Sequence, residues 1–225
     1  ALPIFSGNLL TSTTAVGGTC VVAVQRLAQG NYADSTPVNM TLTTAKGSQT
    51  ISYNTVTSSP RVGDTDTLNA TSSSGLAVSY AVASGSSAYC SLQGATVTFN
   101  APGSCVINVT QSGDANYNAA TPKIQSIAVG KGAQTIAFSS IFLSPRVEGT
   151  AYQPVVSGGM SSSPAKLTIA AGSAEICDIF DGIVYFHAAG DCVIEANQDG
   201  DANYNAANTV TQTLTVGKGD QIPLN

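Results

Sequence analysis

The chain has 225 residues, of which 9% are charged, with Lys+Arg 8 against Asp+Glu 13 and a formal net charge of −5. So mild an acidic balance offers no basic patch for nucleic acid and no polybasic face for a membrane surface. Trp is absent, Gly numbers 22, and Ser, Thr, Val and Ala are plentiful, which suits short β-strands joined by small-residue turns.

The sequence contains no apolar run long enough for a transmembrane helix. Its start, Ala1-Leu2-Pro3-Ile4-Phe5, lacks the basic and apolar regions of a signal peptide, so either processing removed one or the chain is a piece of something longer. Three stretches then say nearly the same thing. Tyr32, Tyr117 and Tyr204 are 85 and 87 residues apart, and so are Lys46, Lys131 and Lys218, and Cys20, Cys105 and Cys192. Three markers at one spacing make a tandem array, which settles the architecture before anything else. Residues 1–46 align only with the second half of a unit, 47–131 and 132–218 are complete units, and 219–225 reads as the opening strand of a further unit or a subunit-linking tail. A half-unit leaves sheet edges and core side chains uncovered. Either the chain is cut from a longer array, or it polymerises and a neighbour's strand completes the half-unit.

Within 47–131 the expected strands are Gln49–Tyr53, Thr65–Thr71, Leu76–Val82, Tyr89–Leu92, Thr96–Phe99, Cys105–Gln111 and Lys123–Val129. About seven short strands with regular turn signals predict an all-β protein of tandem Ig-like β-sandwiches. Alternation points Cys105, Ile107 and Val109 inward, with Cys192, Ile194 and Ala196, and Cys20, Val22 and Val24, as their counterparts.

Cys90 and Cys105 are 15 apart, as are Cys177 and Cys192. The recurrence argues for one disulfide per complete domain and hence an oxidising compartment. Metal binding, the competing reading, wants closely spaced Cys or His pairs, and the only His is His187. Cys20 has Phe5 where its partner would stand. It is a buried free thiol or pairs outside this chain.

The runs Ser74-Gly75-Leu76-Ala77-Val78-Ser79-Tyr80, Thr96-Val97-Thr98-Phe99, Gly103-Ser104-Cys105-Val106-Ile107 and Gly113-Asp114-Ala115-Asn116-Tyr117-Asn118-Ala119-Ala120, with Cys90, resemble the Ig-like repeats of large bacterial surface proteins. The resemblance covers essentially the whole chain. It implies an extracellular or cell-surface module of stalks, adhesins and filaments, with no cofactor and no catalytic residues. Its partners would be other copies of the chain or adjacent repeats, or else a glycan or protein ligand. The chain departs from the pattern at Phe5 and at Ile222-Pro223.

Few residues suggest chemistry. Asp114 and Asn116, like Asp201 and Asn203, place oxygen ligands at alternate positions, as a calcium loop opens, but Ala119 and Gln125 stand where an EF-hand needs Gly and Glu. The simpler reading is an Asx-rich turn, with Tyr117 and Tyr204 plugging the end of the sandwich and bonding backbone through their hydroxyls. Lys46, Lys131 and Lys218 could be imagined in isopeptide cross-links, but a lysine at a domain boundary is expected to be solvated. The repeated Ser-Pro-Arg-Val (Ser59–Val62 and Ser144–Val147) is expected to shape a turn with its Arg along the surface. His187 has no nucleophile motif near it, and Asp178 and Asp181 do not make a paired-carboxylate site. Asn39, Asn69 and Asn108 head glycosylation sequons of the kind that arise by chance in Ser/Thr-rich sequence.

The third unit differs on one strand face. Gln93, Thr96, Thr98 and Asn100 become Phe180, Ile183, Tyr185 and His187, and Thr57 and Ser58 become Phe142 and Leu143. A polar face turned apolar marks a candidate protein–protein interface, set against the blander reading of scattered surface hydrophobes.

Overall fold

The computed structural model describes residues 18–54 and 59–219, together with the backbone of two short strands before them. The comparison made above at Thr57 and Ser58, the side chain of Phe5 and the tail after Gly219 lie outside the described residues.

The early strands β1 (Ile4–Ser6) and β2 (Leu9–Thr11) form a hairpin, and β3 (Thr19–Val24) pairs antiparallel with β4 (Val38–Thr43). Next come β5 (Ile51–Tyr53), β6 (Thr65–Thr67), β7 (Ala70–Ser72), β8 (Ser79–Val82), β9 (Cys90–Gln93), β10 (Thr96–Phe99), β11 (Gly103–Thr110) and β12 (Lys123–Val129). The later strands are β13 (Ile136–Phe138), β14 (Val156–Gly158), β15 (Ala165–Ile169), β16 (Cys177–Phe180), β17 (Ile183–Phe186), β18 (Gly190–Gln198) and β19 (Val210–Val216). Among the described residues the single helical turn is a 3-10 segment at Ala171–Ser173.

The chain is all-β, built as tandem Ig-like sandwiches. In the middle unit β6-β10-β9 forms one sheet and β12-β11-β8 the facing one, with β5-β7 alongside. The third unit repeats this with β16-β17 facing β15-β18-β19, and β13-β14 alongside. Every residue of the first core, including Leu68, Val97, Phe99, Ile107 and Ile127, comes from the middle unit. Every residue of the other core, including Tyr152, Val184, Phe186, Ile194 and Leu214, comes from the third. Alternation explains the filling: β11 reads buried at Cys105, Ile107 and Val109 and more open between, and β18 does the same at Cys192, Ile194 and Ala196.

Cys90 on β9 is bonded to Cys105 on β11, with Cα atoms 5.7 Å apart, and Cys177 on β16 to Cys192 on β18 at 5.8 Å. Each bond therefore ties one sheet to the other. All four sulfurs sit at the centre of their cores, in residues at most 1% exposed.

Three expectations need correction. The strand expected at Thr65–Thr71 is two strands: β6 pairs with β10, then the chain crosses so that β7 pairs with β5. Leu68 drives the break, because its side chain is 6% exposed and turns into the core between the two sheets. The strand expected from Leu76 starts only at Ser79, since Ser72 Oγ donates to Leu76 O and the Ser-rich stretch is held as a turn. Cys20 is half-buried rather than buried, and is unpaired among the described residues.

Cys20 pairs with Leu42 as Cys105 pairs with Ile127, so the first unit repeats the later backbone register. Its inward face is uncovered, however: Val24, Val38 and Met40 are 63%, 70% and 54% exposed.

Candidate functional site: the junctions between units

The repeated Lys-Gly-X-Gln motif lies where one unit passes to the next. At Val129–Gln134 both neighbours grip it. From the upstream side, Gly130 N donates to Pro60 O at 2.8 Å and Val62 N donates to Gly130 O at 3.0 Å. From the downstream side, Gly132 N donates to Asn203 O at 2.9 Å and Asn205 N donates to Gly132 O at 3.0 Å. Lys131 Nζ donates to Asp201 O. Two residues apart, the same backbone is thus a short parallel ladder to the middle unit and another to the third. No stretch of free linker intervenes.

The Ser-Pro-Arg-Val turns form the upstream grip. Ser59 and Ser144 both hold a left-handed φ, 63° and 58°, directly before the proline. This conformation costs a non-glycine residue about 1–2 kcal/mol. The same turn docks Gly217 in the third unit, where Gly217 N donates to Pro145 O at 2.8 Å and Val147 N to Gly217 O at 3.1 Å. The Arg side chains are exposed, as expected; it is the backbone of the turn that makes the contact.

The Asp-Ala-Asn-Tyr-Asn turns form the downstream grip. Asp114 Oδ1 accepts from Asn116 N and Tyr117 N, both at 2.8 Å, and Asp201 Oδ1 accepts from Asn203 N and Tyr204 N. Asp201 Oδ2 also accepts from Ser162 N and Ser162 Oγ. The backbone N–H groups of Ser162, Asn203 and Tyr204, helped by the Ser162 hydroxyl, lower the Asp201 pKa from 3.8 to about 2. These carboxylates hold a turn together, and no group of three or more His, Cys, Asp or Glu residues suited to a metal occurs among the described residues. Gly113 closes the turn at φ +75°, where an added Cβ would lie 2.4 Å from Tyr117 O.

The tyrosines lie across the junction glycines rather than plugging the sandwich. A Cβ on Gly132 would stand 2.7 Å from the Tyr204 ring and 2.9 Å from Val62 O, so both neighbours exclude a side chain there. On Gly47 it would stand 3.1 Å from the Tyr117 ring. The lysines are exposed, as the sequence suggests. Lys46 Nζ donates to the main-chain Asp114 O at 2.7 Å, and the cross-link idea has no carboxyl partner in this contact.

One part of the motif escaped sequence reasoning. Gln49 and Gln134 are each 7% exposed. Gln49 donates to Asn118 O and to Gln111 Oε1 and accepts from Ser74 Oγ. Gln134 donates to Asn205 O and accepts from Met160 N and Ser161 N. Each is a buried polar anchor pinning the incoming strand to the tyrosine turn. The available signal was that Gln recurs three residues after each repeated Lys.

The candidate interface residues do not all share a surface. Phe180 and Ile183 face each other across the β16–β17 hairpin, and Tyr185 lies further along the same side. Phe180 is 74% exposed and Tyr185 39%. His187 continues the row and pairs with Asp178, Nε2 to Oδ2 3.1 Å. Leu143 is exposed on a separate turn. Phe142 points inward: its ring stacks 5.1 Å from Tyr152 and 5.9 Å from Phe186 and fills the end of the third core. Its apolar character serves packing, which is why it does not belong with the surface row.

No family model matches the chain, and no curated protein matches it. Among solved structures it is similar to human protocadherin-24 EC1-2, with 12% identity, 71% of this chain and 90% of that one covered and a TM-score of 0.29. It is also similar to the fibronectin(III)-like modules of Clostridium thermocellum CbhA, with 10% identity, 78% and 100% covered and a TM-score of 0.30. Against surface layer protein SbsC, domains 1-6, identity is 12%, 97% of this chain and 34% of that one are covered, and the TM-score is 0.32. The fold assignment rests on strand order and disulfide placement, not on these likenesses.

Proposed function

We infer that this is an extracellular structural protein whose Ig-like domains, 47–131 and 132–218, follow a half-domain at 1–46 and precede a further opening strand at 219–225. The array serves as a stalk or filament on a bacterial surface and has no catalytic role. The observation that carries this reading is the doubly gripped junction at Gly130–Gly132, whose backbone is bonded to both neighbours at positions two residues apart. Domains joined by free linkers move relative to one another by default; this junction has no free residue to act as a hinge. The two buried disulfides support an oxidising, extracellular setting.

Negative-stain electron microscopy tests this directly. The expected images show the two complete units at one constant angle, with Gly132→Val broadening the distribution. A broad spread of angles in the unaltered chain would remove the reading. A second role, contact with a glycan or protein partner as in an adhesin segment, is favoured by the exposed row of Phe180 and Tyr185 on one hairpin face.

A further inference from the structure

In the first unit the turn at Gln29–Ser35 stands where the later units carry their tyrosine turns. Tyr32, the counterpart of Tyr117, is 82% exposed where Tyr117 is 36%. Beside it opens a cavity of about 670 Å³ lined by Arg26, Leu27, Gln29, Gly30, Tyr32 and Ala33, among others. By the 85-residue spacing, Gln29, Tyr32 and Ala33 correspond to Asp114, Tyr117 and Asn118. Those residues hold Lys46, Gly47 and Gln49 in the middle unit. By position this turn is therefore the counterpart of the seat that holds a Lys-Gly-X-Gln segment in the middle unit.

The third unit presents such a segment. Lys218-Gly219-Asp220-Gln221 repeats Lys131-Gly132-Ala133-Gln134. Its upstream grip is already formed, through Gly217 and the Pro145–Val147 turn. An added Cβ on Gly219 would lie 3.0 Å from Val147 O, as one on Gly132 would lie 2.9 Å from Val62 O. Each end thus carries the complementary half of the internal junction.

We propose that Lys218–Gln221 of one copy seats in the Gln29–Ser35 turn of a second copy, joining copies head to tail through a repeat of the internal junction. This rests on the structural reading above and names its partner and contact. The register follows from the internal copies. Gly219 N donates to Asn31 O, Ala33 N donates to Gly219 O, and Lys218 Nζ donates to Gln29 O. The Tyr32 ring covers Gly219. The contact adds backbone pairing to an open edge. Its two patches differ, so it propagates into a filament where the rotation does not close.

Sedimentation velocity over a concentration series, with electron microscopy of the same samples, tests the proposal. Concentration-dependent assembly is expected. Tyr32→Ala, which alters a side chain exposed in the free chain, should weaken assembly at least about tenfold, the loss of an aromatic anchor. A synthetic peptide spanning Val216–Ile222 should bind the chain and block assembly. A chain that stays monomeric, assembly indifferent to Tyr32→Ala, or a peptide that does not bind would each overturn the proposal. Single chains imaged with the two complete units at one constant angle in those samples would leave the stalk reading intact; single chains with variable bends would remove it too.

Discussion

In the middle unit the outer face of the β9–β10 hairpin carries Ser91, Gln93, Thr96 and Thr98; in the third, the same places on β16–β17 hold Asp178, Phe180, Ile183 and Tyr185. A cross-strand tie closes both faces: Asn100 Nδ2 donates to Ser91 Oγ at 3.3 Å in one, and His187 pairs with Asp178 at 3.1 Å in the other. Beneath these different faces the inner sides match. Val97 and Phe99 are 0% and 1% exposed, and Val184 and Phe186 are 0% and 3%. The repeat is constrained where side chains are close-packed or grip a junction, and is free where they meet only solvent.

The disulfides give the largest effect with which to sharpen that comparison. Both close a separation of 15 residues and both lie in the core. Replacing Cys90 and Cys105 by Ala, or Cys177 and Cys192, should each cost the unit concerned about 3 kcal/mol in urea unfolding. Losses differing by more than about 2 kcal/mol between the pairs would break the equivalence of the two interiors.

A smaller effect separates the units. Tyr152 is 5% exposed, and its hydroxyl bonds Ser140 Oγ at 2.6 Å, Ser140 O at 3.1 Å and Gln212 Oε1 at 3.0 Å. Thr67, equally placed after its Ser-Pro-Arg-Val turn, is exposed. Tyr152→Phe should cost about 1 kcal/mol by stranding half-buried partners. Thr67→Val should change stability by less than about 0.5 kcal/mol. Equal effects at the two positions would show that the third core does not depend on this network.

The downstream turns differ in the same way. Asp201 gains the Ser162 contacts in addition to the two within its own turn. Because its folded-state pKa is depressed to about 2, its contribution is present above 3.8 and is lost as pH falls from 3.8 toward 2. The stability gap between the unaltered chain and Asp201→Asn should therefore be widest near neutral pH and close through that window. A gap that stays constant with pH, followed by thermal unfolding, would mean the carboxylate charge plays no part in the turn.

What was legible in the sequence follows the same division. The disulfide pairs, the alternation of β11 and β18 and the repeat period could be read because burial and bonding leave a fixed spacing along the chain. The crossing at Leu68 could not. One apolar residue amid Thr and Asp reads as a continuing strand, and only the presence of a second sheet turns it into a corner. Phe142 reads as surface in the sequence because a position comparison cannot distinguish an aromatic that faces solvent from one that folds back onto Tyr152. Gln49 and Gln134 do not stand out in the sequence because a buried amide resembles an exposed one until its partners are in place.

The outer hairpin face should give the smallest effect on the isolated chain. Phe180→Gln, Ile183→Thr and Tyr185→Thr together restore the middle unit's residues at Gln93, Thr96 and Thr98. Phe180 is 74% exposed, so little burial is lost. Each substitution should shift stability by no more than about 0.5 kcal/mol, within the range of surface changes. If the row is a contact surface, the triple variant keeps its unfolding midpoint while solvent protection of β16–β17, measured by hydrogen exchange in assembled material, falls to that of β9–β10. A loss of more than about 2 kcal/mol in the isolated chain would instead place these side chains among the third unit's own packing.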